Sequence, residues 1–201
     1  MLKSKKSRFL AAVVSMALVA TVAVGATFAY LTDHDSKDNV FTFGNVTGEV
    51  SEPTWSGASD VTPDEVIAKD PMIVNTGKND AYVRIKLTIP TFKDKDQNDV
   101  PYFLIGTTDA EGNFQEGVLG ENWEYNKNDG YYYYTKIVYA GETGNVTTAL
   151  FNKVKINPAL KEGSTTSTLE QTLTVSADMI QADGFDTMEA AWAAFAAENN
   201  G

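Results

Sequence analysis

Between Tyr82 and Ile89 apolar and polar residues alternate without a break. Val83, Ile85, Leu87 and Ile89 oppose Tyr82, Arg84, Lys86 and Thr88. A period of two puts the two sets on opposite faces of a strand, so this segment belongs in a sheet with one face turned to a core. Pro90 has no N–H to give a ladder, and it ends the run. The alternation returns late in the chain, where Leu173, Val175 and Ala177 oppose Thr172, Thr174, Ser176 and Asp178. Between the two, Trp123 and Tyr125 flank Glu124, a polar stretch runs from Asn126 to Gly130, and an aromatic-rich segment follows from Tyr131 to Tyr139. Asp129-Gly130 supplies the positive φ that a tight hairpin needs. Shorter strands are predicted near Val40–Val50, Val66–Ala68, Met72–Val74, Tyr102–Ile105 and Val154–Ile156, with loops over Ser51–Thr62 and Thr107–Gly120.

One segment breaks the pattern. Met188, Ala191, Trp192 and Phe195 recur at helical spacing among alanines, and Asp186 with Glu189 three residues on has the spacing of a capping box. This predicts a helix over 187–198. Many short strands and one late helix give a mainly β fold: an antiparallel β-sandwich, jelly-roll-like, with a C-terminal helix.

The first 29 residues stand apart. Lys3, Lys5, Lys6 and Arg8 precede an apolar stretch from Phe9 to Ala29 that closes on the small-residue pattern Ala26-Thr27-Phe28-Ala29. Basic, apolar and small in that order is the layout of a secretory signal peptide, and an uncleaved membrane anchor is the alternative. The expected organisation is a signal peptide over 1–29, cleaved between Ala29 and Tyr30, and a single domain over 30–201. The protein is then secreted, extracellular or at the cell surface, and meets a membrane only during export. The chain has no cysteine, so packing alone must hold this domain. The leader carries four basic and no acidic residues. The remainder has 12 basic against 27 acidic, a balance that repels nucleic acid and anionic lipid.

Few residues offer chemistry. His34 is the only histidine and lies in a polar stretch. One imidazole supplies neither a zinc ligand set nor a Ser-His-Asp arrangement. No phosphate loop is present, and Gly141–Asn145 reads as a turn. No catalytic residue and no cofactor are expected. Asp94, Asp96 and Asn98 resemble the start of a calcium loop, but Asp99 and Ile105 stand where a helical calcium hand needs Gly and Glu, so the metal reading competes with a solvated turn. Tyr131 to Tyr134 would put two rings on each face of a strand, which favours packing over a sugar platform.

Gly25-Ala26-Thr27-Phe28-Ala29-Tyr30-Leu31-Thr32-Asp33, running into Asn39-Val40-Phe41-Thr42-Phe43-Gly44-Asn45-Val46, resembles the junction of the TasA/camelysin-like secreted proteins of Gram-positive bacteria. Asp80-Ala81-Tyr82-Val83-Arg84 and the ending from Ala177 to Phe185 with Trp192 are also similar to that family. The resemblance implies cleavage at Ala29/Tyr30 by a SipW-type signal peptidase. It implies a structural role in a cell-surface or biofilm matrix, with fibres built by addition of an N-terminal strand to a neighbouring or related subunit. Val40, Phe41, Phe43 and Val46 are the residues expected to form that assembly strand. The alternatives are a monomeric extracellular module for a cell-wall glycan or host ligand and, third, a camelysin-like metalloprotease, which the single histidine disfavours.

Overall fold

The computed structural model describes residues 32–36, 39–42, 46–55, 61–160 and 171–199, at the level of the backbone for 32–36, 39–42 and 198–199. Fourteen strands appear among them: β1 Thr32–Ser36, β2 Asn39–Thr42, β3 Gly48–Ser51, β4 Val66–Ala68, β5 Met72–Asn75, β6 Ala81–Thr88, β7 Thr91–Lys93, β8 Asp99–Pro101, β9 Phe103–Thr108, β10 Phe114–Glu116, β11 Trp123–Asn126, β12 Tyr131–Tyr134, β13 Lys153–Ile156 and β14 Thr174–Gln181. One helix, α1, spans Met188–Asn199. A six-stranded sheet runs β11-β12-β6-β14-β1-β2 and a four-stranded one β10-β9-β13-β4; β3-β5 and β7-β8 form separate pairs. Strand pairing is antiparallel throughout, giving a mainly β sandwich with a C-terminal helix.

The sandwich core follows from the alternating runs. Val83 and Ile85 of β6, Val175, Ala177 and Met179 of β14, and Trp123 and Tyr134 of the β11–β12 hairpin face inward from the six-stranded sheet. Val46, Ile73, Leu150, Phe151 and Val154 meet them from the other side. Burying each such side chain is worth roughly 1.5–3 kcal/mol, which offsets much of the ordering cost of a domain without disulfides. Gly106 marks a close approach of β9 to its ladder neighbour β10: a Cβ there would collide with the Gln115 carbonyl.

The outer face of the six-stranded sheet is also covered. Ile180, Ala191, Trp192 and Phe195 form a second buried cluster, with Tyr82, Tyr133 and Met188 packed against it. The predicted helical face is therefore the packed face of α1. Its cap is one residue later than Asp186: Ala190 N–H donates to Thr187 Oγ1 at 3.2 Å, so Thr187 is the cap and Glu189 falls outside capping-box spacing. The polar side of β14 is likewise not a solvated one. Asp178 is 7% exposed and Ile180 fully buried, because α1 lies over them.

Two further expectations change. Val40–Val50 is not one strand: β2 joins the six-stranded sheet, β3 pairs with β5, and the chain changes sheets between them. The stretch Thr107–Gly120 is not a plain loop, since β10 pairs with β9 from Phe114↔Thr108 to Glu116↔Gly106.

Candidate functional site

β14 and β6, eight residues each, are the longest strands among the described residues. On one side all eight residues of β14 pair with β6, from Thr174↔Thr88 to Gln181↔Ala81. On the other, β1 pairs with it over five residues, from Thr32↔Ile180 to Ser36↔Ser176. β1 in turn carries β2, which is the edge of the sheet. The polar segment ahead of Asn39 is thus not a lead-in; Thr32–Ser36 is a ladder strand. An N-terminal hairpin occupies the side of β14 that would otherwise be open, and unpaired N–H and C=O groups on a sheet edge are a template for another strand.

The register builds a single row across all six strands: Phe41 on β2, His34 on β1, Asp178 on β14, Arg84 on β6, Tyr133 on β12 and Glu124 on β11. Its centre is an ion pair. Arg84 Nε lies 2.8 Å and Nη2 2.7 Å from Asp178 Oδ2, with both side chains about one-tenth exposed. Aromatic rings close around the guanidinium, at 3.9 Å from Tyr131, 4.4 Å from Trp192 and 4.8 Å from Phe195. Arg84 Nη1 donates to Tyr133 Oη at 3.3 Å, and Tyr133 Oη donates to Asp129 Oδ2 at 2.6 Å. Burial works against the charge on Arg84, but the Asp178 carboxylate and Tyr133 outweigh it and push its pKa up. Burial likewise raises the phenols of Tyr131 and Tyr133. The tyrosine run is therefore packing on both faces, Tyr134 in the core and Tyr131 and Tyr133 around Arg84.

The residues singled out from sequence fall in different places. Val40 and Phe41 lie on β2, Phe43 is outside the described residues, and Val46 is fully buried in the core beyond the hairpin. Ala29 and Tyr30 are also outside the described residues. His34 stands opposite Asp178 in register. Asp94, Asp96 and Asn98 form the turn of the β7–β8 hairpin. There Asp94 Oδ1 accepts the backbone N–H groups of Asp96 and Asn98 at 2.8 and 2.9 Å, and Oδ2 accepts Asn98 Nδ2 at 3.3 Å. Asp109 repeats this pattern between β9 and β10, accepting from Glu111, Asn113 and Gln115. These donors, Asn98 foremost for Asp94 and Asn113 foremost for Asp109, hold both carboxyls below their ordinary pKa. Among the described residues no group of three His, Cys, Asp or Glu is placed to hold a metal ion.

Sequence reasoning did not find the Arg84–Asp178 pair. Both residues sit at strand positions whose alternation reads as solvent-facing, and only the amphipathic helix signals that this face is covered. A family model described as camelysin metallo-endopeptidase matches residues 4–102, a span that includes β1 to β8. No curated protein and no solved structure matches the chain.

Proposed function

We propose that this chain, whose residues 4–102 match the camelysin metallo-endopeptidase family model, is a camelysin/TasA-like secreted structural protein of the cell surface or biofilm matrix. Its copies assemble by exchanging the N-terminal hairpin. The observation that supports this most is the seat on β14. Five residues of an eight-residue strand are paired by the most N-terminal element described, β1, whose other side carries the edge strand β2. The same hydrogen bonds form whether β1 comes from the chain itself or from a second copy. A head-to-tail exchange does not close on itself and so propagates into a filament. The leader over 1–29 directs export, with cleavage between Ala29 and Tyr30 by a SipW-type peptidase. Deleting residues 30–44 from the processed protein is expected to abolish fibres in electron micrographs while circular dichroism stays β-rich. Fibres of undiminished length from that variant would refute the assignment.

The family description names a metallo-endopeptidase, which supports a second reading. A zinc peptidase needs several clustered ligands, and His34 is the one histidine of the sequence. We assign no protease role to this chain on that ground. Rigorously purified protein is expected to leave casein intact and His34→Ala to behave as the parent. Chelator-sensitive cleavage that His34→Ala removes would establish the peptidase.

A further inference from the structure

A groove of about 740 Å³ lies on the helix side of the six-stranded sheet, between the start of α1 and the strand edge at β11. Tyr82, Glu124, Lys136, Tyr139, Met188 and Glu189 line it. Its most unusual member is Tyr139, which is 52% exposed. The other tyrosine among the described residues with more than half its surface open, Tyr125, stacks on Tyr132 with ring centroids 4.7 Å apart. Tyr139 has no such ring contact among the described residues.

The Tyr139 ring is nevertheless held in place. Val138, its neighbour, is buried and exchanges two 2.9 Å backbone hydrogen bonds with Ala81, so the period of two turns Tyr139 outward. Tyr139 N–H donates to Gly144 O at 3.0 Å and Ala140 N–H to Asp80 Oδ1 at 2.8 Å, while Asn75 N–H donates to Asn145 O at 2.7 Å. Gly141 and Gly144 take φ of 98° and 71°, conformations that suit glycine. A Cβ on Gly144 would lie 3.0 Å from Tyr139 Cδ2, so the turn backs one side of the ring directly. The ring is braced on one side by the turn and open to solvent on the other. This is the arrangement of a binding platform whose ordering cost is met before the ligand arrives.

The charged groups beside it are uncommitted. Glu124, Lys136 and Glu189 are exposed, and among the described residues they make no ion pair or side-chain hydrogen bond. Two carboxylates accept hydroxyl hydrogens, an ammonium donates to ring or carbonyl oxygens, and the half-buried Tyr82 and Met188 offer apolar surface. A ligand that fits has an apolar face for Tyr139, many hydroxyls, a small apolar branch and no negative charge, since the chain carries a net charge of −11. We propose that this groove binds a neutral oligosaccharide of N-acetylated hexosamines, one pyranose stacked on Tyr139 and an acetamido methyl against Met188 and Tyr82. The site lies away from the β1–β2 edge and does not depend on strand exchange.

Titrating the purified full chain with chitotetraose, followed by calorimetry and by tyrosine resonances, tests this. Saturable binding is expected. Tyr139→Ala should weaken it by about tenfold or more, the isosteric Glu124→Gln and Glu189→Gln variants should weaken it measurably, and Tyr125→Ala, which leaves the groove intact, should bind as the parent. Circular dichroism of each variant should match the parent, because every substituted side chain is exposed. Absence of saturable binding, equal binding by Tyr139→Ala, or equal binding of maltotetraose, which has no acetamido group, would overturn the proposal.

Discussion

Arg84 shows how much one strand position can carry. Its guanidinium neutralises Asp178, touches three aromatic rings and joins β6, β14, β12 and α1. Removing one partner of a buried pair leaves the other charge without compensation, so Arg84→Ala should lower unfolding stability in urea by about 3–5 kcal/mol. The exposed Lys93–Asp99 pair, 2.8 Å apart, is the control: Lys93→Ala should cost about 1 kcal/mol or less. The turn carboxylates make a different prediction. Asp94 and Asp109 have pKa values below the ordinary 3.8, held down chiefly by backbone N–H donors. A depressed folded pKa contributes stability that is present above 3.8 and is lost as pH falls through the lower folded value. The β7–β8 and β9–β10 turns should therefore loosen only in strong acid, and the amide-exchange protection factors of Asn98 and Asn113 should fall there. In Asp109→Ala, which removes the acceptor, exchange at Asn113 should already be fast at neutral pH. Unchanged protection would show that the carboxylate does not hold the turn.

At the scale of elements, α1 defines the second layer. Trp192 is 6% exposed and meets Tyr133 edge-on at 5.8 Å and Phe195 at 5.4 Å. Trp192→Ala should cost about 3–5 kcal/mol, measured by denaturant unfolding. A cost below about 1 kcal/mol would mean the helix is not docked as described. Much of this layer was legible in advance. The spacing of Met188, Ala191, Trp192 and Phe195 gave the helical face, and the runs through Val83 and Val175 gave the two central strands. What periodicity could not supply was what lies over a face. Ser176 and Asp178 read as solvent-facing because alternation describes one strand and is silent on a helix some ten residues later. Short strands were lost for a related reason: Phe114–Glu116 is three residues long, too few for a period to register, and is fixed by pairing with β9. Of the candidate sites, Val40 and Phe41 were placed on an N-terminal strand from sequence alone. The platform at Tyr139 was not, because its bracing by Gly144 comes from a turn and not from any alternation.

For the whole molecule, the distribution of pairing matters most. β1 joins the six-stranded sheet through its ladder with β14, and β2 joins it through β1. A two-strand unit whose ladder joins only the end of a sheet can leave without opening the pairing of the remaining strands. That is why strand exchange, rather than association of outer faces, is the assembly route proposed here. The net charge of −11 keeps copies apart unless a specific contact forms, so assembly should strengthen with added salt as repulsion is screened. The absence of any native cysteine permits a direct test. Ser36 and Ser176 stand directly opposite across β1 and β14. Directly opposed residues in an antiparallel ladder have Cα atoms about 4.5–5.5 Å apart, within disulfide reach. Fibres grown from the Ser36→Cys, Ser176→Cys double variant under reducing conditions, then oxidised and run on a denaturing gel without reductant, should give a ladder of covalent multimers. Each bond would join β1 of one copy to β14 of the next. Fibres that yield only disulfide-closed monomer would contradict strand exchange, because β1 would then have stayed on its own sheet.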